Sequence, residues 1–303
     1  MREVLSQLLV RSAAEDPDFV VLSGDHGYAL FDALRRERPA QFINVGVAEQ
    51  AMVGTAAGLA RVGFKPVVYG LAAFVPVRVL EQIKLDVCFS HLPVIFLGDG
   101  AGLVYSTLGA SHQCAEDLAC LRPLPGIRIY SPCDAPELAA CYQEARASGA
   151  PCYIRIGKSD RPPVHERPLA DTAPHFVRRP SDAEHCLIAH GSMVEPCARI
   201  AAELGLACLS VPRLKPFDAS LFASLRSFRQ AVVVEEHSAV GGLASAIMDA
   251  SVRPENAVAL PRLRALSLDE KFSKLCGSYQ FALSEHGLDD ARLKSRIHDL
   301  VRA

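Results

Sequence analysis

A surplus of charge of either sign is missing from this chain. Its 303 residues carry a net charge of −2 and 22% charged side chains, which leaves no electrostatic footprint for nucleic acid or for an acidic membrane surface. Long apolar runs are missing as well: nothing reaches the length of about 18 residues needed to span a bilayer. The opening MREVLSQLLVRSAAEDPD reads as an amphipathic helix broken by charges rather than a signal peptide, and a cytoplasmic protein is the expectation. Paired cysteines are absent. All ten are scattered singly, with no C-x-x-C, which argues against a zinc site or a redox motif. Most sit in apolar stretches such as PCYIRI, where a free thiol acts as a small buried hydrophobe and suits a reducing compartment. Neither an internal repeat nor a low-complexity tract occurs, and asparagine is nearly absent, with only Asn44 and Asn256.

What the chain does have is apolar material, 50% of its residues, enough for two cores. Short runs rich in Val, Ile, Leu and Phe alternate with segments of helical period, the pattern of parallel strands covered on both faces by helices. Strands are predicted at Phe19–Ser23, Pro66–Tyr69, Val94–Leu97, Ile127–Tyr130 and Tyr153–Ile156, with helices at Glu49–Arg61, Val75–Phe89, Ala115–Leu121 and Ala135–Ala147. The stretch from Gly157 to Glu184 holds five prolines and many charges and reads as a linker. Alternation resumes with strands near Cys186–His190, Ala207–Val211 and Ala231–Glu235 and helices near Met193–Leu204 and Gly242–Ser251. The expected fold class is α/β, two doubly wound domains: 1–157 with a parallel sheet, a linker over 158–184, and a smaller α/β domain over 185–303.

The densest unusual segment is Phe42–Ala60, FINVGVAEQAMVGTAAGLA, where a short apolar strand turns directly into a helix with Glu49 at the turn. A carboxylate at a helix N-terminus is common on dipole grounds alone. Here, however, Asn44, Gly46, Gly54 and Gly58 with Ala48, Ala51, Ala56 and Ala57 form a surface so small-sided that something large must pack on it closely, a dimer partner or a flat cofactor.

At these residues the chain resembles the transketolase family, and its pyrimidine-binding domain in particular. The resemblance runs through V-G-V-A-E-Q at Val45–Gln50, G-F-K-P-V-V-Y at Gly63–Tyr69, R-x-L-E-Q at Arg78–Gln82, L-G-A-S-H-Q at Leu108–Gln113, S-P-x-D at Ser131–Asp134 and Y-I-R-I-G at Tyr153–Gly157. HGSMV at His190–Val194, VEEH at Val234–His237 and GGLASA at Gly241–Ala246 extend it into a transketolase C-terminal domain. The ordered set covers nearly the whole chain and is far more specific than any one block. The resemblance implies that Glu49 is catalytic, sharing a proton with a ring nitrogen of thiamine diphosphate so that the aminopyrimidine can activate the neighbouring thiazolium carbon. That task calls for a poorly solvated carboxyl.

Transketolases also need a module that binds the diphosphate through Mg²⁺, with G-D-G followed some way downstream by an asparagine. Gly98, Asp99 and Gly100 spell G-D-G, but neither asparagine stands at the right distance, and a hard cation wants several oxygen ligands. No metal ligand is therefore expected in this chain. The resemblance implies the C-terminal subunit of a split transketolase: thiamine diphosphate is shared with a partner N-terminal subunit that also holds Mg²⁺, two copies of each chain assemble as a heterotetramer, and neither acts alone.

On the substrate side the resemblance assigns Arg2 and Arg155 to the phosphate of a sugar phosphate, a task that suits planar guanidinium forks. It assigns His112 to a substrate oxygen near the reacting carbon, Phe74 to the pyrimidine pocket and Asp25 to the vicinity of the thiazolium. Departures are several. Leu71 replaces a pocket phenylalanine, Leu108 an aspartate that reads a hydroxyl, Gly100 a phosphate-side histidine and Ala29 a phosphate-side serine. Lost hydroxyl partners imply an aldehyde acceptor that is less hydroxylated or is not a sugar phosphate. The expected reaction is transfer of a two-carbon ketol unit from a ketose donor to an aldehyde. Alternatives are an activity like that of 1-deoxyxylulose-5-phosphate synthase, a 2-oxo-acid dehydrogenase β-type subunit, and an inactive regulatory homologue. VEEH, with two carboxylates and a histidine, reads as a strand terminus near a subunit contact rather than a metal or acid–base centre.

Overall fold

The computed structural model describes residues 1–158, 160–256 and 259–302. The first half runs α1 (Arg2–Glu15), β1 (Phe19–Ser23), α2 (Asp32–Glu37), β2 (Phe42–Asn44), α3 (Glu49–Arg61) and β3 (Lys65–Leu71). A helical stretch over 77–88 follows, then β4 (Ile95–Asp99), α5 (Asp117–Leu121), β5 (Arg128–Tyr130), α6 (Ala135–Ala147) and β6 (Cys152–Ile156). Strands β1 to β6 are all parallel to their neighbours, in the order β5-β6-β4-β3-β1-β2. β1 and β6 are buried at every position, as unbroken Val/Ile/Leu runs demand when helices cover both faces. The stretch 77–88 is not the single helix that its periodicity predicts. It breaks into a 3-10 turn at Val77–Val79, one α turn at Leu80–Gln82 (α4) and a π-helical turn at Ile83–Cys88, directly after Pro76.

The second half runs β7 (His175–Arg178), β8 (His185–Ala189), α7 (Val194–Leu204), β9 (Ala207–Ser210), β10 (Arg213–Lys215), α8 (Ser220–Leu225), β11 (Gln230–Ser238), α9 (Leu243–Ser251), β12 (Arg262–Leu268), α10 (Tyr279–Glu285) and α11 (Asp290–Arg302). Its five-stranded sheet has the order β12-β11-β8-β9-β7. The fold class is that expected, two α/β domains with mostly parallel sheets.

Three strands depart from the sequence reading: β12, which pairs parallel with β11 at one edge of the second sheet, was not expected, and the other two concern the seam between the halves. β7 lies inside the stretch read as linker, where it pairs antiparallel with β9 as an edge strand. Edge strands tolerate the charge and proline that disguise this one. β10, although it follows β9, leaves the second sheet and pairs antiparallel with β5, closing the edge of the first. The apolar interior is correspondingly shared: one contiguous cluster takes in Leu22, Met52, Val68 and Phe96 from the first half and Ile188, Leu209, Val233 and Ile247 from the second.

Candidate active site

In a parallel sheet, loops leaving the carboxyl ends of the strands form a crevice where neighbouring strands send their connections opposite ways. Here β1 leads outward to β2, while β3, on its other side, leads to β4, so the reversal falls between β1 and β3. The loops after β1, β2, β3 and β4 converge there and carry His26, Glu49, Phe74 and Arg78, and His112 respectively.

Glu49 is the first residue of α3. Its side chain is 8% exposed, and its Oε2 accepts a hydrogen bond of 3.2 Å from Arg78 Nη1. The Arg78 guanidinium also stacks on the Phe74 ring, 3.9 Å from the centroid. Phe74 in turn meets the His112 ring edge-on at 5.2 Å and that of His26 at 5.8 Å. His112 Nδ1 is held by Ser111 Oγ at 2.9 Å. The result is a carboxylate at a helix N-terminus, one cation, one buried ring and two imidazoles around a common point. Such a set can hold a flat heterocycle and pass protons. A cavity of about 560 Å³ lies elsewhere, between α1 and α6 at the amino ends of the strands, where none of these groups reaches.

Residues 1–163 match the family described as "Transketolase, pyrimidine binding domain", and residues 176–267 match "Transketolase, C-terminal domain". The chain belongs to the transketolase family. It is 32% identical to one subunit of the apulose-4-phosphate transketolase of Phocaeicola vulgatus, over 82% of each chain. With the 6-deoxy-6-sulfo-D-fructose transketolase subunit SqwH of a Clostridium species it shares 33% identity, over 81% of this chain and 79% of that one. Identity to the 1-deoxy-D-xylulose-5-phosphate synthase of Nitrosomonas europaea is also 33%, but this chain spans only 42% of that enzyme's length. A solved chain described as "Split gene transketolase, inactive beta4 tetramer" superposes with a TM-score of 0.86 at 29% identity, covering 98% of this chain and 97% of that one.

Set against the transketolase pattern, the expected residues divide. Glu49, Phe74 and His112 come together as described. Leu71, the last residue of β3, is buried beside them, and its carbonyl accepts from the N–H groups of Phe74 and Val75. Asp25 is exposed on the β1 loop, where Tyr28 donates to it at 3.4 Å. Arg2 is exposed and donates to the Tyr28 carbonyl at 2.8 Å. The Asp99 carboxylate accepts from the phenols of Tyr69 and Tyr105, at 2.9 and 3.1 Å. Gly100 has φ +71, and a Cβ there would fall 1.9 Å from the Tyr105 ring, so this tyrosine fills the space that a side chain at position 100 would need. Leu108 is half exposed, and Ala29 sits in the left-handed region with φ 62. Sequence reasoning missed His26 and gave Arg78 no role. The signal for Arg78 was its place in the R-x-L-E-Q block.

Arg155 departs from expectation. It is fully buried on β6, and its Nε donates to both Asp117 oxygens, at 3.1 and 2.9 Å, while Nη2 donates to the Glu236 carbonyl at 2.9 Å. Nε and Nη2 are thus turned into the seam between the domains, so the structure makes Arg155 a tie between the halves. Burial works to raise the Asp117 carboxyl, but Arg155, His237 and the Tyr153 hydroxyl outweigh it and hold the group below its ordinary range. VEEH belongs to the same seam. Glu236 accepts from Leu103 N–H, Ser192 and Tyr279, and Glu235 from Leu243 N–H at the start of α9. Glu236 and His237 are buried against this chain's own first domain, while Glu235 is buried within the second. The small-residue face divides too: Ala56 and Ala57 are buried, whereas Gly54 and Gly58 look into open space.

Proposed function

We propose that this chain is the pyrimidine-activating subunit of a two-chain transketolase that moves a two-carbon ketol unit from a ketose to an aldehyde, with thiamine diphosphate shared between the chains. The observation that carries this reading is Glu49, a carboxylate almost removed from water at the mouth of α3, with one oxygen on Arg78 and no second protein partner for the other among the described residues. That donor set fits an aminopyrimidine: a carboxyl to share a proton with a ring nitrogen, and the apolar walls of Phe74 and Leu71 to exclude water. Arg78 covers one face of the Phe74 ring, so a heterocycle stacking on that face must move it. Thiamine diphosphate, when bound, supplies the carbanion-stabilising chemistry that amino-acid side chains lack. His112, fixed through Nδ1, has Nε2 left to hold a substrate oxygen.

The diphosphate and Mg²⁺ fit this chain poorly. Asp99 is the one acid of the G-D-G, and two phenols already occupy it. A partner chain with a full diphosphate motif supplies what is missing, a reading supported by the match, over most of their length, to chains that are themselves named as transketolase subunits. The relatives' substrates, apulose 4-phosphate and a sulfofructose, support a specialised ketose, in keeping with the loss of a hydroxyl-reading group at Leu108 and of a phosphate-side group at Ala29.

The test is co-purification with the partner chain, followed by two-carbon transfer assays across ketose donors and aldehyde acceptors with and without thiamine diphosphate and Mg²⁺. Transfer that needs both chains and both cofactors is expected. Ribose 5-phosphate as the best acceptor would refute the less-hydroxylated acceptor. A second reading, condensation of pyruvate with an aldehyde and release of carbon dioxide, is favoured by the identity to the deoxyxylulose-phosphate synthases. Pyruvate consumption without ketose turnover would establish it instead.

A further inference from the structure

Away from this site, three potential ligands meet where the two halves join, with a second histidine beside them. Cys133, Glu137 and His165 each offer an atom within 4.8 Å of the others. Glu137 lies in the first turn of α6, His165 in the stretch read as linker, and a fourth residue, His175, on the edge strand β7. His175 Nε2 is 2.9 Å from His165 Nε2 and 3.4 Å from Glu137 Oε1.

The hydrogen bonds on the far side of each ring decide what this arrangement requires. His165 Nδ1 is 2.9 Å from Asp134 Oδ2, an oxygen that already accepts from the N–H groups of Val164 and His165. His175 Nδ1 is 2.9 Å from the Ala173 carbonyl oxygen, which can only accept. Each Nδ1 therefore carries the hydrogen. With the hydrogen on each Nδ1, the two Nε2 atoms face each other at 2.9 Å, which requires a cation, either a proton or a metal ion, between them. Metal-bound histidines show the same outer arrangement, donating their second N–H to a carboxylate or backbone carbonyl.

We propose that Cys133, Glu137, His165 and His175 form a structural zinc site that pins the 157–184 stretch and the edge of the second sheet to the mouth of α6. A thiolate and a carboxylate neutralise the dication, and two imidazoles complete a four-coordinate N₂OS set, which suits zinc rather than the all-oxygen preference of Mg²⁺ or Ca²⁺. With Zn–N of about 2.0–2.1 Å, tetrahedral geometry sets the nitrogens about 3.3 Å apart, a few tenths wider than here. Binding releases one proton, from the Cys133 thiol, as the sulfur passes to the metal. The lack of a C-x-x-C pair gave no hint of such a site, because only the fold brings His165 and His175 to Cys133 and Glu137.

The experiment uses the untagged full chain. Elemental analysis of protein from zinc-supplemented medium is expected to give one zinc per chain. Cobalt(II) replacement is expected to give tetrahedral d–d bands with a thiolate-to-cobalt charge-transfer band, which Cys133→Ser abolishes while keeping the d–d bands. His165→Ala and His175→Ala should each weaken zinc binding by more than the roughly 10–100-fold that loss of an outer-shell partner costs. His298→Ala, at a part-exposed histidine on α11, should change nothing. Should the variants fold poorly, the wild-type chain still decides the question: chelation should lower its Tm, and Zn²⁺, but not Mg²⁺, should restore it. A well-folded wild-type chain that takes up no stoichiometric zinc and shows no thiolate–cobalt band overturns the proposal, leaving a proton between the two rings.

Discussion

Two arginine–carboxylate pairs in this molecule share one chemistry and differ in completeness. At the seam, Arg155 and Asp117 have side chains 1% and 0% exposed, and Asp117 takes further support from the Tyr153 hydroxyl. At the mouth of α3, Arg78 is 45% exposed, Glu49 is 8% exposed, and a single 3.2 Å contact joins them. A pair whose donors and acceptors are used up inside the protein holds structure, and removing one partner strands a buried charge. A pair with a spare oxygen facing a crevice is equipped to exchange a proton with something that is not protein. Burial alone does not separate the two cases; the count of unsatisfied valences does.

The comparison breaks most sharply under matched amide substitutions. Glu49→Gln should cost the reconstituted enzyme roughly 10²–10⁴-fold in kcat, the usual worth of a positioned acid–base group, with Tm almost unchanged. Fast exchange of the thiazolium proton in the cofactor-bound Gln variant would remove Glu49 from the chemistry. Asp117→Asn should do the reverse, lowering unfolding stability by about 3–5 kcal/mol in urea titrations while the remaining folded enzyme keeps its kcat. The double change Arg155→Met with Asp117→Leu should recover most of that loss, since apolar replacement of a buried pair is often neutral.

Acid should loosen the seam in two stages. Burial holds the His237 imidazole below its ordinary value of 6.5, so the unfolded chain binds that proton more readily and stability falls as pH drops below this value. Asp117 is depressed as well; its contribution is complete above the ordinary carboxylate value of about 3.9 and is lost as pH falls through its lower folded value. Urea midpoints against pH should show both limbs, and Asp117→Asn should flatten the lower one. A smaller effect is expected from His112→Ala, a drop in kcat/KM of roughly tenfold to a hundredfold, the worth of one substrate hydrogen bond. Smallest is Arg2→Ala: as an exposed cation it should raise KM for a phosphorylated aldehyde no more than roughly tenfold and leave an unphosphorylated one unchanged.

Much of the fold was legible because buried parallel strands and their covering helices leave strong periodic signals. β1, α3 and α6 fall on their expected bounds. β7, β10 and β12 were not legible, since a strand at a sheet edge needs no unbroken apolar run and takes its identity from its neighbour. In the site, Glu49 stood out because a carboxylate among glycines and alanines at a strand-to-helix turn is locally odd. Arg78 had no such local mark, because its meaning comes from the contact with Glu49, 29 positions away.

The sequence by itself determined the family, the α/β class and the position of the carboxylate at the mouth of α3, all of which reside in runs of neighbouring residues. Only the tertiary structure decided that Arg155 pairs with Asp117, that Glu236 and His237 seal a seam within one chain, and that Cys133, Glu137 and His165 meet in one small space with His175 beside them. The physical reason is the same in each case: a side chain's role depends on which of its hydrogen-bonding valences remain unspent, and residues far apart in the chain spend them.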